Sequence, residues 1–115
     1  MAVGMGALFE TKYMYGLSER ESSLLLTNTM LTDPYRFFNI DYYMHRKDDA
    51  RGEYGSIPYI TGHSETNDAS LLWVNSADTW TDLVESSLDN KMTANFVSES
   101  GVLELFLFSS ESPKT

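Results

Sequence analysis

The stretch that decides the fold is Lys-Met-Thr-Ala-Asn-Phe-Val-Ser at residues 91–98. Its apolar residues Met92, Ala94 and Phe96 alternate with polar ones. Successive side chains of a β-strand point to opposite faces of the sheet, so this alternation puts the apolar set on one face. The pattern predicts a strand with one face in the core and the other half exposed.

A second stretch, Val-Leu-Glu-Leu-Phe-Leu-Phe at residues 102–108, is interrupted only by Glu104. A nearly continuous apolar run of this length is typical of a strand that is covered on both faces. We therefore expect a second layer of this chain, or a partner domain, to lie against its far side.

The rest of the chain has short apolar and aromatic runs separated by Gly, Asp, Asn, Ser and charged residues. Runs at this spacing indicate an all-β sandwich or barrel rather than alternating strands and helices. The predicted strands span residues 7–15, 24–29, 35–43, 56–61, 70–75, 79–85, 91–98 and 102–108.

One stretch also carries a helix signal. Residues 18–21, Ser-Glu-Arg-Glu, fit a capping box, in which two side chains satisfy backbone N–H groups at the start of a helix. The leucines at 24–26 are adjacent in sequence, however, and do not form the stripe of an amphipathic helix. We expect a turn of helix or a loop here, followed by a strand.

Composition excludes several classes of function. The 115 residues suit one domain, and 8 Lys and Arg against 17 Asp and Glu give a net charge of −9. Such a surface repels phosphate backbones and anionic lipid, so we expect neither nucleic acid nor a membrane as a partner. The chain has no cysteine, which excludes disulfides, thiolate zinc sites and a cysteine nucleophile.

Two polar clusters have simple explanations. His63 and Glu65 lie in a polar run without an identifiable third ligand, so a solvated loop is expected rather than a metal site. Asp48 and Asp49 are adjacent and flanked by basic residues. Neighbouring side chains in a loop diverge, so a solvated charge cluster is expected rather than the carboxylate pair of a glycosidase.

The two tryptophans differ in their surroundings. Trp73 lies in the apolar run Leu-Leu-Trp-Val at residues 71–74, which indicates a core position. Trp80 lies in a more polar run and is the better candidate for an exposed ring that stacks on a sugar.

Asp41 is the strongest candidate for a binding residue. It follows the aromatic run Tyr-Arg-Phe-Phe at residues 35–38 and precedes two tyrosines at 42–43. Aromatic rings can cover the C–H faces of a sugar while a carboxylate accepts hydrogen bonds from its hydroxyls. The alternative is an Asp that begins a turn and bonds its own backbone. The residues alone leave both open.

Four segments, in this order, resemble the N-terminal region of glycoside hydrolase family 31, and in particular its glucosidase II-like neutral α-glucosidases. The Tyr-Gly-Ser-x-Pro run and the last segment are the most specific, and the likeness extends over about residues 13–108. The segments are Tyr-Gly-Leu-Ser-Glu-Arg at 15–20, Pro-Tyr-Arg-Phe-Phe-Asn-Ile-Asp at 34–41, Glu-Tyr-Gly-Ser-Ile-Pro-Tyr at 53–59 and Leu-Leu-Trp-Val-Asn-Ser-Ala-Asp-Thr-Trp-Thr-Asp at 71–82.

This resemblance implies an antiparallel β-sandwich of the galactose-mutarotase type, with residues 1–115 as a single N-terminal domain or an incomplete fragment of one. The family's catalytic carboxylates lie in a (β/α)₈ barrel of about 250 residues, which this chain is too short to contain. The resemblance therefore implies no catalytic residue, metal site or cofactor here, and the barrel as partner. It also implies a substrate contact by Asp41, the last residue of an Asn-x-Asp motif that reaches the sugar pocket in family members.

The activity implied by the resemblance belongs to a longer enzyme. It is the retaining hydrolysis of terminal α-linked glucose, with N-glycan trimming in the endoplasmic reticulum lumen for a glucosidase II-like enzyme. The alternative is a free-standing carbohydrate-binding or protein-interaction sandwich. A domain that packs on a barrel should present a contiguous apolar patch, whereas a free module should not. An exposed sheet face would also permit self-association.

Overall fold

The computed structural model describes residues 2–41, 51–75, 78–86 and 89–112. These residues form eight antiparallel strands. The described part of the chain has no helix that is long and apolar enough to cross a membrane. The all-β prediction is confirmed. The strands are β1 (Val3–Phe9), β2 (Met14–Ser18), β3 (Tyr35–Phe37), β4 (Ile57–His63), β5 (Asp68–Trp73), β6 (Thr79–Glu85), β7 (Met92–Ser98) and β8 (Leu105–Ser110).

The strands form two four-stranded sheets that pack face to face as a sandwich. The first sheet has the order β1-β7-β6-β3 and the second has the order β2-β4-β5-β8. β7 is central in the first sheet, and its Met92, Ala94 and Phe96 are buried while the residues between them are half-buried. The alternation in residues 91–98 therefore predicted both the strand and its buried face correctly.

Trp73 joins the two sheets in the core. Its ring stacks on Phe96, with ring centroids 5.7 Å apart and an interplanar angle of 14°. The indole Nε1–H donates to the Ser98 hydroxyl at 2.9 Å, so the polar atom of the buried ring is satisfied. The core prediction for Trp73 is confirmed. The buried apolar residues are Phe9, Met14, Leu17, Leu26, Tyr35, Phe37, Ile60, Leu71, Trp73, Leu83, Met92, Ala94 and Phe96.

The predicted strand at residues 7–15 is wrong as one element, because it is two strands in different sheets. β1 ends at Phe9 and β2 begins at Met14, and between them the Thr11 hydroxyl donates to the backbone oxygen of His63 at 2.7 Å. The same hydroxyl accepts from the Tyr13 N–H at 3.1 Å. These side-chain bonds replace ladder bonds where the chain crosses between the sheets.

The predicted strand at residues 24–29 is also absent from the structure. The Leu26 N–H donates to the Met14 oxygen at 2.9 Å, and the Thr29 N–H donates to the Leu83 oxygen at 2.7 Å. Met14 belongs to the second sheet and Leu83 to the first, so this segment is a connection that links the sheets. Leu26 is buried in the core, whereas Leu24 and Leu25 are exposed.

Of the alternatives for residues 18–21, the loop is correct. The predicted strand at 35–43 ends early, because β3 stops at Phe37, and residues 42–43 lie outside the described ranges.

The prediction that this chain covers both faces of residues 102–108 is wrong. β8 begins only at Leu105, and it is an edge strand that pairs with β5 alone. Phe106, Leu107 and Phe108 are 51%, 64% and 56% exposed. Leu105 packs against the core, but no layer formed by the described residues covers the outer face of this strand. Cover by a partner domain stays a prediction.

Candidate functional site

Three loop segments meet beside the ends of β2 and β3 and the start of β4. They comprise residues 19–20, 39–41 and 53–56, and we call this arrangement the junction. The Ile40 N–H donates to the Glu53 oxygen at 3.0 Å, and the Glu53 N–H donates to the Glu19 oxygen at 2.9 Å. The Glu19 N–H in turn donates to the Gly55 oxygen at 2.8 Å. Backbone bonds thus hold together segments that are distant in sequence.

Side chains strengthen the junction. Glu19 Oε2 accepts from the Gly55 N–H at 2.8 Å, so Glu19 and Gly55 are joined by two hydrogen bonds. The Asn39 amide donates through Nδ2 to the Tyr54 carbonyl oxygen and accepts through Oδ1 from the Ser56 hydroxyl at 2.8 Å. Asn39 therefore uses both ends of its amide to fix the 39–41 segment against the 53–56 segment.

Asp41 is exposed at the end of the first of these segments. The Tyr54 hydroxyl donates to Asp41 Oδ1 at 2.6 Å. This hydrogen bond and the negative charge of Asp41 raise the pKa of Tyr54 above its ordinary value, because both disfavour the phenolate. Tyr54 thus stays a hydrogen-bond donor to the carboxylate at neutral pH.

Arg20 connects the junction to the core. Its guanidinium carbon lies 5.0 Å from the ring centroid of Tyr35 and 5.2 Å from that of Phe37. Nε donates to the Leu17 oxygen at 2.5 Å and Nη2 donates to the Arg36 oxygen at 3.2 Å. The planar cation therefore stacks on two core rings while it binds the ends of β2 and β3.

Gly52 permits the close approach of the third segment to β3 and to the residue that follows it. A Cβ atom at this position would lie 2.9 Å from the Arg36 oxygen and 3.1 Å from the Phe38 oxygen. Both are backbone atoms that cannot move aside cheaply. The absence of a side chain is thus a steric requirement of the junction.

The other candidates lie elsewhere or outside the described residues. Trp80 is half-buried on the outer face of the first sheet, where it pairs with Arg36. His63 Nδ1 lies 2.5 Å from Asp68 Oδ1, and the described part of the chain holds no group of three residues that could bind a metal ion. Asp48 and Asp49, predicted as a solvated pair, lie outside the described ranges.

Sequence reasoning proposed a role for Asp41 but none for Tyr54 or Arg20. Both lie in segments that carry the family resemblance, so the motifs could have drawn attention to them. Tyr54 and Asp41 are 13 positions apart, and no simple sequence pattern predicts a contact between them.

A family profile described as the glycosyl hydrolase 31 N-terminal galactose mutarotase-like domain matches residues 6–82, well over half of the chain. The chain belongs to this family. The match includes the junction, so Asp41 and Tyr54 are part of the domain that the family shares.

Relatives of the domain are similar over most of its length. It is 35% identical over 104 residues to the glucosidase 2 subunit alpha of Schizosaccharomyces pombe, covering 83% of this chain and 11% of the relative. It is 37% identical over 95 residues to the same subunit from Saccharomyces cerevisiae, covering 82% and 10%. The domain thus spans about a tenth of the length of these relatives.

Solved structures agree with this assignment. A crystal structure of the glucosidase II alpha subunit described as Glc1Man2-bound matches with a TM-score of 0.89 and 28% identity, over 98% of this chain and 14% of that one. A glucosidase II heterodimer of the catalytic subunit with the binding domain of the regulatory subunit matches with a TM-score of 0.89 and 26% identity. The galactose-mutarotase-like sandwich is therefore confirmed.

Proposed function

We propose that this domain is the N-terminal part of an α-glucosidase that removes terminal α-linked glucose with retention of configuration. In that enzyme it packs on a catalytic barrel that carries the reacting carboxylates, and it contributes Asp41 to the sugar pocket. The observation that carries the proposal is the match, over 98% of the chain, to the alpha subunit of glucosidase II.

The junction supports the role of Asp41. The carboxylate is exposed, and the backbone and side-chain hydrogen bonds of the junction hold its segment in place. An exposed carboxylate on a braced loop can accept hydrogen bonds from sugar hydroxyls, provided that a second wall removes the sugar from water. The barrel would provide that wall.

The outer face of the second sheet supports packing on a larger partner. It presents a group of apolar side chains that includes Phe106 and Phe108, which are more than half exposed. Register places these residues on one face of neighbouring strands. A free-standing sugar-binding module should not leave such a surface uncovered, so this face favours the packed domain. The members of this outer face are Tyr15, Ile57, Tyr59, Leu72, Phe106 and Phe108.

The relatives support a proposal about substrate and location. The resemblance to glucosidase II implies the glucose of an N-glycan as the substrate, and one solved relative is described as Glc1Man2-bound. One solved heterodimer is described as an endoplasmic reticulum enzyme. We propose an N-glycan or related α-glucoside as the substrate and the endoplasmic reticulum lumen as the location.

The test is the kinetics of the full-length enzyme that carries this domain. Asp41→Asn should reduce kcat/KM for p-nitrophenyl α-glucoside by about tenfold or more, since a charged acceptor for a sugar hydroxyl is lost. Asp33→Asn is the matched control, because Asp33 is also exposed but precedes β3 and lies outside the junction. Unchanged kinetics of a folded Asp41→Asn enzyme would contradict the proposed role.

The alternative function has its own measurement. A free-standing module would bind glucose or maltose at submillimolar concentration as the 115-residue chain, which tryptophan fluorescence can detect. We expect no such binding, because one carboxylate without an opposing wall leaves most of a sugar hydrated.

A further inference from the structure

Asp41 has a partner that the proposed sugar contact does not by itself require. An exposed Asp side chain rotates freely, and ordering it on a ligand costs conformational entropy. In this domain the Tyr54 hydroxyl donates to Oδ1 at 2.6 Å and thereby restrains the carboxylate. A carboxylate can accept several hydrogen bonds, so one that is held in this way can still accept from a sugar hydroxyl.

Tyr54 is itself held in place through its backbone. Its carbonyl oxygen accepts from the Asn39 amide, and its neighbours Glu53 and Gly55 are both bonded to Glu19. A tyrosine side chain has only two rotatable bonds before the rigid ring ends in its hydroxyl. A fixed backbone therefore leaves the ring a few discrete rotamers, and in the one observed its hydroxyl meets Asp41, although the ring is 57% exposed.

The chemistry of the pair suits a holding role. A phenol is a neutral donor, so it restrains the carboxylate without neutralising its charge as a lysine or arginine would. Asp41 consequently keeps its strength as an acceptor. The raised pKa of Tyr54 keeps the donor protonated throughout the neutral and mildly alkaline range.

We propose that Tyr54 is a positioning residue, which fixes the Asp41 carboxylate in the orientation that meets a sugar hydroxyl. The inference rests on the proposed function, because it requires that Asp41 contacts the substrate. Tyr54 acts through Asp41 and not on the sugar directly. It lies in the Tyr-Gly-Ser-x-Pro segment, so the donor comes from a different loop than the acceptor.

The test is a double-mutant cycle in the full-length enzyme, with p-nitrophenyl α-glucoside as the substrate. Tyr54→Phe removes one oxygen from an exposed ring and should raise KM about three- to tenfold, with a smaller change in kcat. Tyr54→Phe in the Asp41→Asn background should change KM by less than about twofold, because the group that Tyr54 positions is already impaired. Tyr13→Phe is the matched control: Tyr13 is exposed and lies in the turn between β1 and β2.

Each outcome separates the inference from the proposed function. If Asp41→Asn leaves both kcat and KM unchanged, the proposed contact of Asp41 with the substrate fails. If Asp41→Asn raises KM and Tyr54→Phe does not, the function stands and the positioning role is wrong. Effects that multiply in the double variant would show that Tyr54 acts independently of Asp41, which also overturns the role. Thermal unfolding of each variant checks that the kinetics report on folded enzyme.

Discussion

The contact between Tyr54 and Asp41 makes a residue-level prediction about titration. Since the carboxylate raises the pKa of Tyr54, Asp41→Asn should return that pKa towards its ordinary value of about 10. Ultraviolet absorbance of tyrosinate measures the titration, and subtracting the curve of a Tyr54→Phe variant isolates Tyr54 from the other six of the seven tyrosines. Identical difference curves with Asp41 and with Asn at this position would contradict the prediction.

The raised pKa also determines how the contribution of this hydrogen bond to stability changes with pH. A raised pKa in the folded state means that the hydrogen bond contributes in full below the ordinary tyrosine pKa of about 10. The contribution is lost as the pH rises through the raised pKa, because the phenolate cannot donate. Tyr54→Phe should therefore lower the free energy of unfolding at neutral pH, and this loss should disappear at strongly alkaline pH. Urea unfolding at the two pH values measures it.

Two buried threonines on β6 give a second residue-level prediction. Thr81 Oγ1 has no hydrogen-bond partner among the described residues, whereas the Thr79 hydroxyl donates to the Asn75 oxygen at 2.7 Å and lies 2.6 Å from Ser98 Oγ. Thr81→Val removes a buried, unsatisfied hydroxyl, so it should raise the free energy of unfolding by about 1 kcal/mol.

Thr79→Val is the matched control for this substitution. It removes a satisfied hydroxyl on the same strand and deprives the Asn75 oxygen of a hydrogen bond. It should therefore lower the free energy of unfolding by about 1 to 2 kcal/mol. Urea unfolding measures both variants. Equal losses in the two would show that the Thr81 hydroxyl is satisfied after all.

At the scale of the strand, β2 depends on a glycine. Gly16 has φ +117°, and a Cβ atom there would collide with the backbone oxygen of Tyr59 on β4. The register between β2 and β4 shifts just after this residue, so the unusual backbone conformation of Gly16 coincides with an irregularity in the ladder. Gly16→Ala should lower the free energy of unfolding by about 2 kcal/mol or more.

Gly6 on β1 provides the comparison for Gly16. A Cβ atom at Gly6 would lie 2.6 Å from Asn95 Oδ1, the end of a side chain that can rotate away. Gly6→Ala should therefore change the free energy of unfolding by less than about 0.5 kcal/mol. A loss for Gly6→Ala as large as that for Gly16→Ala, measured by urea unfolding, would refute the argument from backbone contact.

At the scale of the whole molecule, the outer face of the second sheet leaves an apolar surface without cover among the described residues. We expect the isolated chain to self-associate through this face. The net charge of −9 opposes association, so salt should strengthen it by screening the repulsion. Sedimentation velocity of the chain with Phe106→Ser and Phe108→Ser should show mainly monomer under conditions in which the native sequence associates.

Leu31→Ser is the control for that experiment. Leu31 is 97% exposed but lies in the connection before β3 and not on the outer face. It should leave association unchanged. If Leu31→Ser reduces association as much as the paired phenylalanine substitutions, general surface hydrophobicity and not this face is responsible.

The sequence by itself determined the strand type and part of the core of this protein. Alternation at Met92, Ala94 and Phe96 gave a correct buried face, because side-chain direction in a strand follows from backbone geometry alone. Trp73 was correctly placed in the core from its apolar neighbours, whereas the role that the family motifs imply for Asp41 stays a prediction. These features depend on residues that are close together in the chain.

Only the tertiary structure decided how the strands divide between the sheets and which side chain contacts Asp41. Residues 7–15 form a continuous pattern but bend between two sheets, and the leucines at 24–26 belong to a connection between them. Tyr54 reaches Asp41 across 13 positions, through a junction that also needs Glu19 and Asn39. Such contacts arise from the simultaneous packing of distant segments, and no local period in the sequence encodes that packing.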